Sequence, residues 1–347
     1  MSEKIRIGII GAGGIFRSRH FPGLAKIGDA EVVAICNRSE ESAGAIAREF
    51  GLSPRLMSDP HALISSEDVD AVMIGTWPYR HCEYVLASLD AGKHVFVQAR
   101  MAMNLREARA MYARARETGL VTQICPSPMA MKGDWFIQRL IREGYLGDIY
   151  HVYTRSFSGD NCDPDQPLHW RQIDRYSGLN ALNMGILVEI VQRWAGQMKS
   201  ISAHAETFIR TRPLDDGNGT GPVERPDAVH IVGQMENGAQ AAFLFSSVAR
   251  FGTDPQVELY GSQGTLIYKL ESDTILGAQA GDSGLSEFAI PDDEAREWTV
   301  EQDFVSAIRG GPPGDTTFEA GLKYMAFTEA VFRSVERGGV VHLPLVD

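Results

Sequence analysis

The chain has 347 residues, of which 44% are hydrophobic and 22% charged, and its formal net charge is −12. This length predicts two domains that each bury their own core, and the composition is typical of a globular protein. The acidic balance argues against nucleic acid and anionic membranes as partners, and no apolar run approaches the length of a membrane span.

The N-terminus and the cysteines indicate a cytoplasmic protein. The chain opens Met-Ser-Glu-Lys and enters an apolar run, without the regions of a secretory signal peptide,. Cys36, Cys82, Cys125 and Cys162 lie far apart and lack the spacing of zinc or redox motifs,. We therefore expect reduced thiols, no metal site and a location in the cytoplasm.

The first third of the chain alternates short apolar runs with amphipathic helical stretches. The runs that we interpret as strands are Ile5–Ile10, Glu31–Cys36, Ala71–Gly75, His94–Val97 and Val121–Cys125. Continuous apolar strands that alternate with helices are typical of a parallel sheet covered on both faces. The first 125 residues therefore predict a doubly wound α/β domain.

The pattern changes after about residue 148. The runs that we interpret as strands there are Ile149–Phe157, Lys199–Phe208, Val229–Met235, Ala239–Ser247, Gln256–Tyr260 and Gly264–Leu270. Gly-containing turns join neighbouring runs, which predicts an open and mostly antiparallel sheet. Helices are expected over Asn180–Trp194 and Phe318–Val335, and a loop over Arg212–Pro226. Residues 126–347 thus form the second α/β domain.

A glycine-rich turn follows the first predicted strand and opens a helix. Gly11 permits a tight turn, and Gly13 lets the backbone approach a pyrophosphate that lies at the helix N-terminus. The third glycine of this fingerprint falls at Phe16, which alters the contact between helix and strand. We interpret Gly11, Gly13, Gly14, Ile15 and Phe16 as dinucleotide contacts; the alternative is a glycine-rich turn without a ligand.

The end of the second strand bears on the choice of cofactor. Sites for NAD usually place an acidic residue there to bind the ribose 2′-hydroxyl. This chain has Asn37, Arg38 and Ser39 instead, and an arginine with a hydroxyl suits a 2′-phosphate,. NADP is therefore favoured and NAD stays possible. In the alternative interpretation, Ser39 only caps the next helix and Arg38 is solvated.

Several motifs together resemble the Gfo/Idh/MocA family of oxidoreductases over nearly the whole chain. They are Thr76-Trp77-Pro78-Tyr79-Arg80-His81, Ala91–Val97, Gln123-Ile124-Cys125, Trp170-Arg171 and Gly178–Gly185. The resemblance implies a Rossmann domain over residues 1–125 and, over 126–347, a domain for substrate binding and oligomerisation. It also implies NAD(P)-dependent oxidation or reduction of sugars, cyclitols and related polyols. The further cofactor contacts that it implies are Thr76, Trp77, Pro78, His81, Gln98 and Ala99.

The chain departs from the family where the fifth strand ends. The usual Glu-Lys-Pro reads Gln98-Ala99-Arg100, so the lysine that normally lies beside the nicotinamide and the reacting hydroxyl becomes Ala99. Arg100 replaces the proline, which removes the usual reason for a cis peptide bond there. An arginine stays protonated and cannot act as a base, but its cation could hold an anionic substrate.

The family pattern Asp-x-Gly-x-His is also altered. It reads Asn183-Met-Gly-Ile-Leu187, and its two ends lie one helical turn apart on the same face,. Oxidation of an alcohol needs a base for the hydroxyl proton, and neither Asn183 nor Leu187 can titrate. We retain Asn183 as a residue of the catalytic site and Leu187 as a wall of the substrate pocket.

Substitute chemistry could come from His169, Tyr176, Tyr79 or His81, although Tyr79 could only pack on the cofactor ring and His81 could only cap or pack at its helix start. His169 is the first candidate for a base because it titrates near neutrality, although it could also be a surface histidine. Tyr176 is a second candidate for proton transfer. Trp170 and Arg171 are expected to bind substrate, since a guanidinium forms bidentate hydrogen bonds with oxygens.

Two classes of function stay open. The first is an NAD(P)-dependent enzyme with an altered site for a sugar, cyclitol or related polyol or acid, which includes a non-redox lyase or glycosidase that uses the cofactor transiently. The second is a dinucleotide-binding sensor or regulator without catalysis. The enzyme is favoured because the predicted substrate segment keeps polar and aromatic side chains. The second sheet has more apolar positions than a solvated face needs, which predicts a homodimer or homotetramer.

Overall fold

The computed structural model describes residues 3–125 and 131–346. The chain divides into two compact units, Met1–Pro126 with Trp298–Leu322 and Ser127–Glu297 with Lys323–Asp347. The division predicted from the sequence had assigned 298–322 to the second domain. This segment belongs to the first unit because its side chains Val300, Phe304 and Val305 pack into that unit's core.

Helices account for much of both units. In chain order they are α1 (Phe21–Leu24), α2 (Glu40–Glu49), α3 (Pro60–Ile64), α4 (His81–Asp90), α5 (Leu105–Thr118), α6 (Asp134–Arg142), α7 (Asp174–Ser177), α8 (Met184–Ala195), α9 (Val300–Ile308) and α10 (Phe318–Arg337). A π-helical turn over Phe16–His20 precedes α1, and 3-10 turns cover Pro78–Arg80 and Trp170–Gln172. Among the described residues, no helix is both long enough and apolar enough to cross a membrane.

A six-stranded parallel sheet forms the centre of the first unit. Its strands are β1 (Ile5–Ile10), β2 (Ala30–Cys36), β3 (Arg55–Met57), β4 (Ala71–Ile74), β5 (His94–Val97) and β6 (Thr122–Ile124). Their order is β3-β2-β1-β4-β5-β6, so the direction of winding reverses between β1 and β4. Ligands of such sheets bind outside the carboxyl ends of the strands at this point. The predicted α/β fold is confirmed; the sequence analysis missed β3, which is short and largely exposed.

A nine-stranded mixed sheet forms the centre of the second unit. The remaining strands are β7 (Ile149–Phe157), β8 (Met198–Glu206), β9 (Thr211–Pro213), β10 (Thr220–Pro222), β11 (Ala228–Met235), β12 (Gln240–Ser246), β13 (Gln256–Gly261), β14 (Gly264–Lys269), β15 (Thr274–Gln279), β16 (Ser286–Phe288) and β17 (Val341–His342). The sheet order is β16-β15-β14-β13-β7-β12-β11-β8-β17, and only β7 and β12 pair in parallel. The mostly antiparallel sheet is thus confirmed.

The segment Arg212–Pro226 was expected to be a loop, which is wrong in part. Strands β9 and β10 pair there as a small antiparallel ribbon. The side chain of Arg212 is buried and donates hydrogen bonds of 2.6 Å to the carbonyls of Asn161 and Asp163. These contacts anchor the ribbon to a distant loop, and the local sequence gives no sign of them.

The two faces of the nine-stranded sheet differ in composition. On one face Phe243 of β12 packs against Phe327 of α10, with 5.2 Å between the ring centroids. On the other face Tyr153, Ala242 and Val232 lie opposite one another on β7, β12 and β11. Tyr153 is 40% exposed and Val232 is 55% exposed. The second face therefore presents apolar side chains at the centre of the sheet.

A buried ionic cluster stabilises the second unit. Asp134 at the start of α6 is fully buried and accepts hydrogen bonds from the guanidiniums of Arg193 and Arg296. The indole of Trp194 also donates to it at 2.8 Å, and Arg193 donates to Glu189 at 3.1 Å. Burial raises the pKa of Glu189, and the charge of Arg193 opposes that shift. Two carboxylates balance two guanidiniums, and removal of one partner from such a cluster costs about 3–5 kcal/mol.

Candidate functional site

The glycine-rich turn has the shape of a phosphate cradle. Gly11 has a φ of +80°, and its N–H donates to the carbonyl of Cys36 at 2.8 Å. A Cβ at Gly11 would lie 2.9 Å from the backbone nitrogen of Thr76, so only glycine fits,. A Cβ at Gly13 would meet nothing closer than 3.9 Å, and one at Gly14 nothing within 4 Å. The backbone of Gly13 and Gly14 is thus open to a bound pyrophosphate.

Phe16 changes how the turn continues. It is fully buried, and its ring fills the space that a Cβ at Gly75 would need. The third glycine of the fingerprint is missing, but Gly75 after β4 has no side chain and so lets the ring of Phe16 pack against its backbone. The half-buried Ile15 is already helical, and the helix that the sequence predicted continues from it as the π-helical turn Phe16–His20.

The residues after β2 face the same turn. The side-chain oxygen of Asn37 accepts a hydrogen bond from the N–H of Ala12 at 2.8 Å. Ser39 caps α2, because its hydroxyl oxygen accepts from the N–H of Ser42 at 3.2 Å. Arg38 is exposed between them. Capping by Ser39 is therefore present in the structure, and it leaves the guanidinium of Arg38 at the surface.

His81 holds two loops together at the carboxyl edge of the first sheet. It is fully buried, and its Nε2 lies 2.8 Å from the carbonyl oxygen of Thr76. Its Nδ1 lies 3.0 Å from the carbonyl of Arg100 and 3.2 Å from that of Met101. Burial lowers the pKa of His81, and the three carbonyls oppose this shift. We expected direct contact with the cofactor; the structure shows instead a residue that positions the loops after β4 and β5.

Two aromatic rings are displayed after β4. Trp77 is 40% exposed, and its ring centroid lies 6.5 Å from that of Tyr79. The guanidinium of Arg80 lies over the Tyr79 ring at 5.1 Å and pairs with Glu83 at 2.8 Å. Pro78 is buried at the start of this turn. The edge of the sheet thus offers exposed aromatic faces on which a flat ring could stack.

The end of β5 differs from expectation. The N–H of Gln98 donates to the carbonyl of Ile74 at 3.0 Å, which continues the pairing with β4. The peptide bond between Ala99 and Arg100 is cis, so the expectation drawn from the loss of proline is wrong. That expectation considered only the intrinsic preference of the bond, whereas the folded surroundings decide its geometry. Arg100 is buried, with 8% of its surface exposed.

His169 is a capping residue. It precedes the turn Trp170–Gln172, and its Nδ1 accepts from the N–H of Arg171 at 3.3 Å. The side-chain oxygen of Gln172 accepts from the N–H of His169 at 3.0 Å. A neutral imidazole that accepts at Nδ1 carries its proton on Nε2. Burial lowers the pKa of His169, with a further contribution from the charge of Arg171. His169 can therefore accept a proton at Nε2 only if the capping bond breaks.

Two guanidiniums in the segment 170–176 lie over neighbouring aromatic rings. The guanidinium of Arg171 lies 4.4 Å from the centroid of the Trp170 ring; the residue as a whole is exposed, but burial lowers the pKa of its guanidinium. That of Arg175 lies 4.5 Å from the ring of Tyr176, which is half-buried. Cation–π contacts of this kind hold the guanidinium in a fixed plane. The rings of Trp170 and Tyr176 thus each hold a neighbouring guanidinium in place.

The start of α8 separates two residues that the sequence analysis had grouped. Asn183 is exposed, and its amide nitrogen donates to the hydroxyl of Ser156 at 3.3 Å. Leu187 is fully buried along with Ile190 and Val191. The assignment of Leu187 to a substrate surface is therefore wrong, because its apolar side chain continues the stripe with which α8 packs.

Two buried residues were missed by the sequence analysis. His20 and Glu301 are hydrogen-bonded to each other although 281 residues separate them. Neither residue lies in a recognisable motif, and only α9's return to the first unit brings them together. Within residues 3–125 and 131–346, no three His, Cys, Asp or Glu side chains form a group that could hold a metal ion.

Comparison with known families agrees with this architecture. Residues 5–125 match the model of an oxidoreductase family with an NAD-binding Rossmann fold, and residues 136–267 match the GFO/IDH/MocA C-terminal domain. The glycine-rich turn and this fold together define a nicotinamide-dependent oxidoreductase. The chain belongs to the Gfo/Idh/MocA family.

Relatives with named activities share about a quarter of the residues. Levoglucosan dehydrogenase of Pseudarthrobacter phenanthrenivorans is 26% identical over 253 residues, which cover 68% of this chain and 64% of the relative. Myo-inositol 2-dehydrogenase of Thermotoga maritima is 24% identical over 98% of both chains. The structure of levoglucosan dehydrogenase with NADH and L-sorbose superposes with a TM-score of 0.90 at 22% identity, over 98% of this chain and 99% of the other.

Substitution at the cradle should remove cofactor binding. We expect Gly13→Asp to weaken NADH and NADPH binding by about tenfold to a hundredfold or more, because a carboxylate would face the pyrophosphate. Calorimetric titration measures this affinity. Gly28→Asp, at an exposed glycine with nothing within 4 Å of its Cβ position, is the matched control and should bind normally. Equal affinities in the two variants would contradict the assignment.

Proposed function

We propose that the protein transfers a hydride between a nicotinamide cofactor and a sugar, cyclitol or related polyol. The observation that carries this proposal is the open backbone at Gly13 and Gly14, at the winding reversal of a parallel sheet,. The named activities of the relatives, which act on levoglucosan and inositol, support the substrate class.

The proton must travel by a route that differs from the family pattern. Hydride transfer from an alcohol needs an acceptor for the hydroxyl proton, and Ala99 and Leu187 offer none. The Nδ1 of His169 is engaged in capping. Tyr176 keeps a half-buried phenol beside an ordered guanidinium. We therefore assign proton transfer to Tyr176, ahead of His169, which was the first candidate from the sequence.

Arg171 and Trp170 suit a polyhydroxylated ligand. The guanidinium of Arg171 can donate two parallel hydrogen bonds to vicinal oxygens. The indole beneath it offers an apolar face for the C–H side of a sugar ring. Asn183 could donate or accept at the same time, because its amide is exposed. These three side chains form the proposed binding surface for substrate.

A substrate panel with two variants tests the chemistry. Wild type should change nicotinamide absorbance with at least one member of a panel of levoglucosan, inositols, aldoses and aldonic acids. Tyr176→Phe should lower kcat about a hundredfold to ten-thousandfold, the usual contribution of acid–base catalysis, without a change in cofactor affinity. His169→Asn keeps a capping oxygen but cannot titrate, and it should stay active.

The opposite pattern, with activity lost only in His169→Asn, would contradict the assignment to Tyr176. Tight cofactor binding without turnover of any compound would contradict the proposed enzyme and favour a sensor.

We propose NADP as the preferred cofactor. The end of β2 has no acidic side chain at residues 37–39, and the exposed guanidinium of Arg38 suits a 2′-phosphate,. The hydroxyl hydrogen of Ser39 can donate to the same phosphate, since capping uses only its oxygen as acceptor. Asn37 keeps its amide nitrogen for the ribose.

The preference for NADP should depend on Arg38. Wild type is expected to bind NADPH more tightly than NADH. Arg38→Ala should reduce the ratio of the NADH to the NADPH dissociation constant by about tenfold to a hundredfold, as expected for the loss of a charge-assisted hydrogen bond. The two dissociation constants are measured by calorimetry. Arg48→Ala, at an exposed arginine on α2, should leave the ratio unchanged. Equal binding of both cofactors by wild type would contradict the proposal.

We further propose that copies of the chain assemble through the exposed face of the nine-stranded sheet. Tyr153 and Val232 are displayed on that face at its centre rather than at its margins. A broad apolar sheet face is typical of an interface between subunits. We also propose a cytoplasmic location, because all four cysteines are unpaired thiols,.

A charge on this face should dissociate the assembly. Light scattering should give a dimer or tetramer for wild type at micromolar concentration and a smaller species for Val232→Arg, since a buried unpaired charge is costly. Val346→Arg, at an 85% exposed valine outside the strands, is the matched control and should assemble as wild type does. A wild-type mass near 38.1 kDa would contradict the proposal.

A further inference from the structure

A network of buried hydrogen bonds lies in the first unit, next to the end of β5 where the nicotinamide is proposed to bind. His20 is fully buried and Glu301 is 1% exposed. The Nδ1 of His20 is hydrogen-bonded to the carboxylate of Glu301, and its Nε2 to the side-chain amide of Gln98. The indole of Trp298 donates to both carboxylate oxygens at 3.0 Å.

The hydrogen-bond network has one consistent direction when Glu301 is ionised and His20 is neutral. An ionised carboxylate only accepts, so the Nδ1 of His20 donates to Glu301. In the neutral imidazole Nε2 is then an acceptor, and the amide nitrogen of Gln98 donates to it. Because of this order, the amide of Gln98 cannot rotate by half a turn without the loss of a hydrogen bond inside the core.

The hydrogen-bond network joins the two halves of the proposed dinucleotide site through His20 and Gln98. His20 ends the π-helical turn that follows the phosphate cradle. Gln98 follows β5 and immediately precedes Ala99, where the family places the lysine beside the nicotinamide. Glu301 reaches His20 only because Gly23 has no side chain, since a Cβ there would overlap the carboxylate.

Packing alone does not account for these polar groups. The ring of His20 lies 4.6 Å from that of Phe16 and 5.2 Å from that of Phe96, in surroundings that would accept an apolar side chain. Transfer of a carboxylate and an imidazole into such a core costs free energy that an apolar pair would not. We therefore attribute the polarity of these side chains to the orientation of their hydrogen-bond partners and not to core packing.

We propose that Glu301 and His20 are positioning residues that act through Gln98. They fix the orientation of the Gln98 amide beside the nicotinamide and keep the phosphate cradle in register with the end of β5. The proposal rests on nicotinamide binding in the proposed function and requires no particular substrate.

A double-mutant cycle on cofactor affinity tests the proposal. Glu301→Gln keeps the size of the side chain against Gly23 and removes its charge; Gln98→Met keeps the length of its side chain and removes its hydrogen bonds. We expect Glu301→Gln to weaken NADPH binding about tenfold in the wild-type background and less than about twofold in the Gln98→Met background. Equal losses in both backgrounds would overturn the proposal.

A control separates positioning from stability. Asp134→Asn breaks the buried cluster of the second unit and should lower the Tm without a change in NADPH affinity. If its affinity falls as far as that of Glu301→Gln, the effect is general destabilisation and the proposal fails. If Gly13→Asp also leaves affinity intact, the proposed cofactor site itself fails, which distinguishes the two outcomes.

The tautomer of His20 can be measured in the wild-type protein, so this test does not depend on whether a variant folds. Nitrogen NMR of ¹⁵N-histidine protein should show His20 with the proton on Nδ1 and a bare Nε2. Glu301→Gln should shift this population toward the other tautomer. A proton on Nε2 in the wild type would reverse the donor and acceptor roles in this hydrogen-bond network and overturn the proposal.

Discussion

The close approach of backbone to backbone at the carboxyl edge of the first sheet is the constraint on which the dinucleotide site depends. Gly11 lies against the nitrogen of Thr76, and Gly75 lies against the ring of Phe16. Side chains at these glycines would separate β1 from β4 at the winding reversal. The loss of one fingerprint glycine at residue 16 is thus tolerated because the glycine on the opposite strand accommodates the larger ring.

Polar side chains on distant segments hold the loops around this edge. His81 joins the loops after β4 and β5 through backbone carbonyls, and Glu301 supports His20 from a segment near the end of the chain. The geometry of the cofactor edge therefore depends on imidazole rings that do not need to touch a ligand.

In the second unit, local hydrogen bonds alter the chemistry expected from residue types. Histidine commonly acts as a base, but burial lowers the pKa of His169 and its Nδ1 is engaged with the N–H of Arg171. Leu187 falls on the helical face predicted for it, yet that face is buried. The rings of Trp170 and Tyr176 each pack against a guanidinium in a cation–π contact. Hydrogen-bonding state and burial, more than residue type, thus rank the candidates.

The sequence by itself determined the alternation of strands and helices, the position of the cradle at Gly11 and Gly13, and the lack of titratable groups at residues 99 and 187. These properties are local, because periodicity, glycine content and side-chain chemistry are carried by adjacent residues. The pairing of His20 with Glu301, the return of α9 to the first unit and the burial of Leu187 were decided only by the tertiary structure. They arise from contacts between residues far apart in the chain, whose free energy no local pattern records.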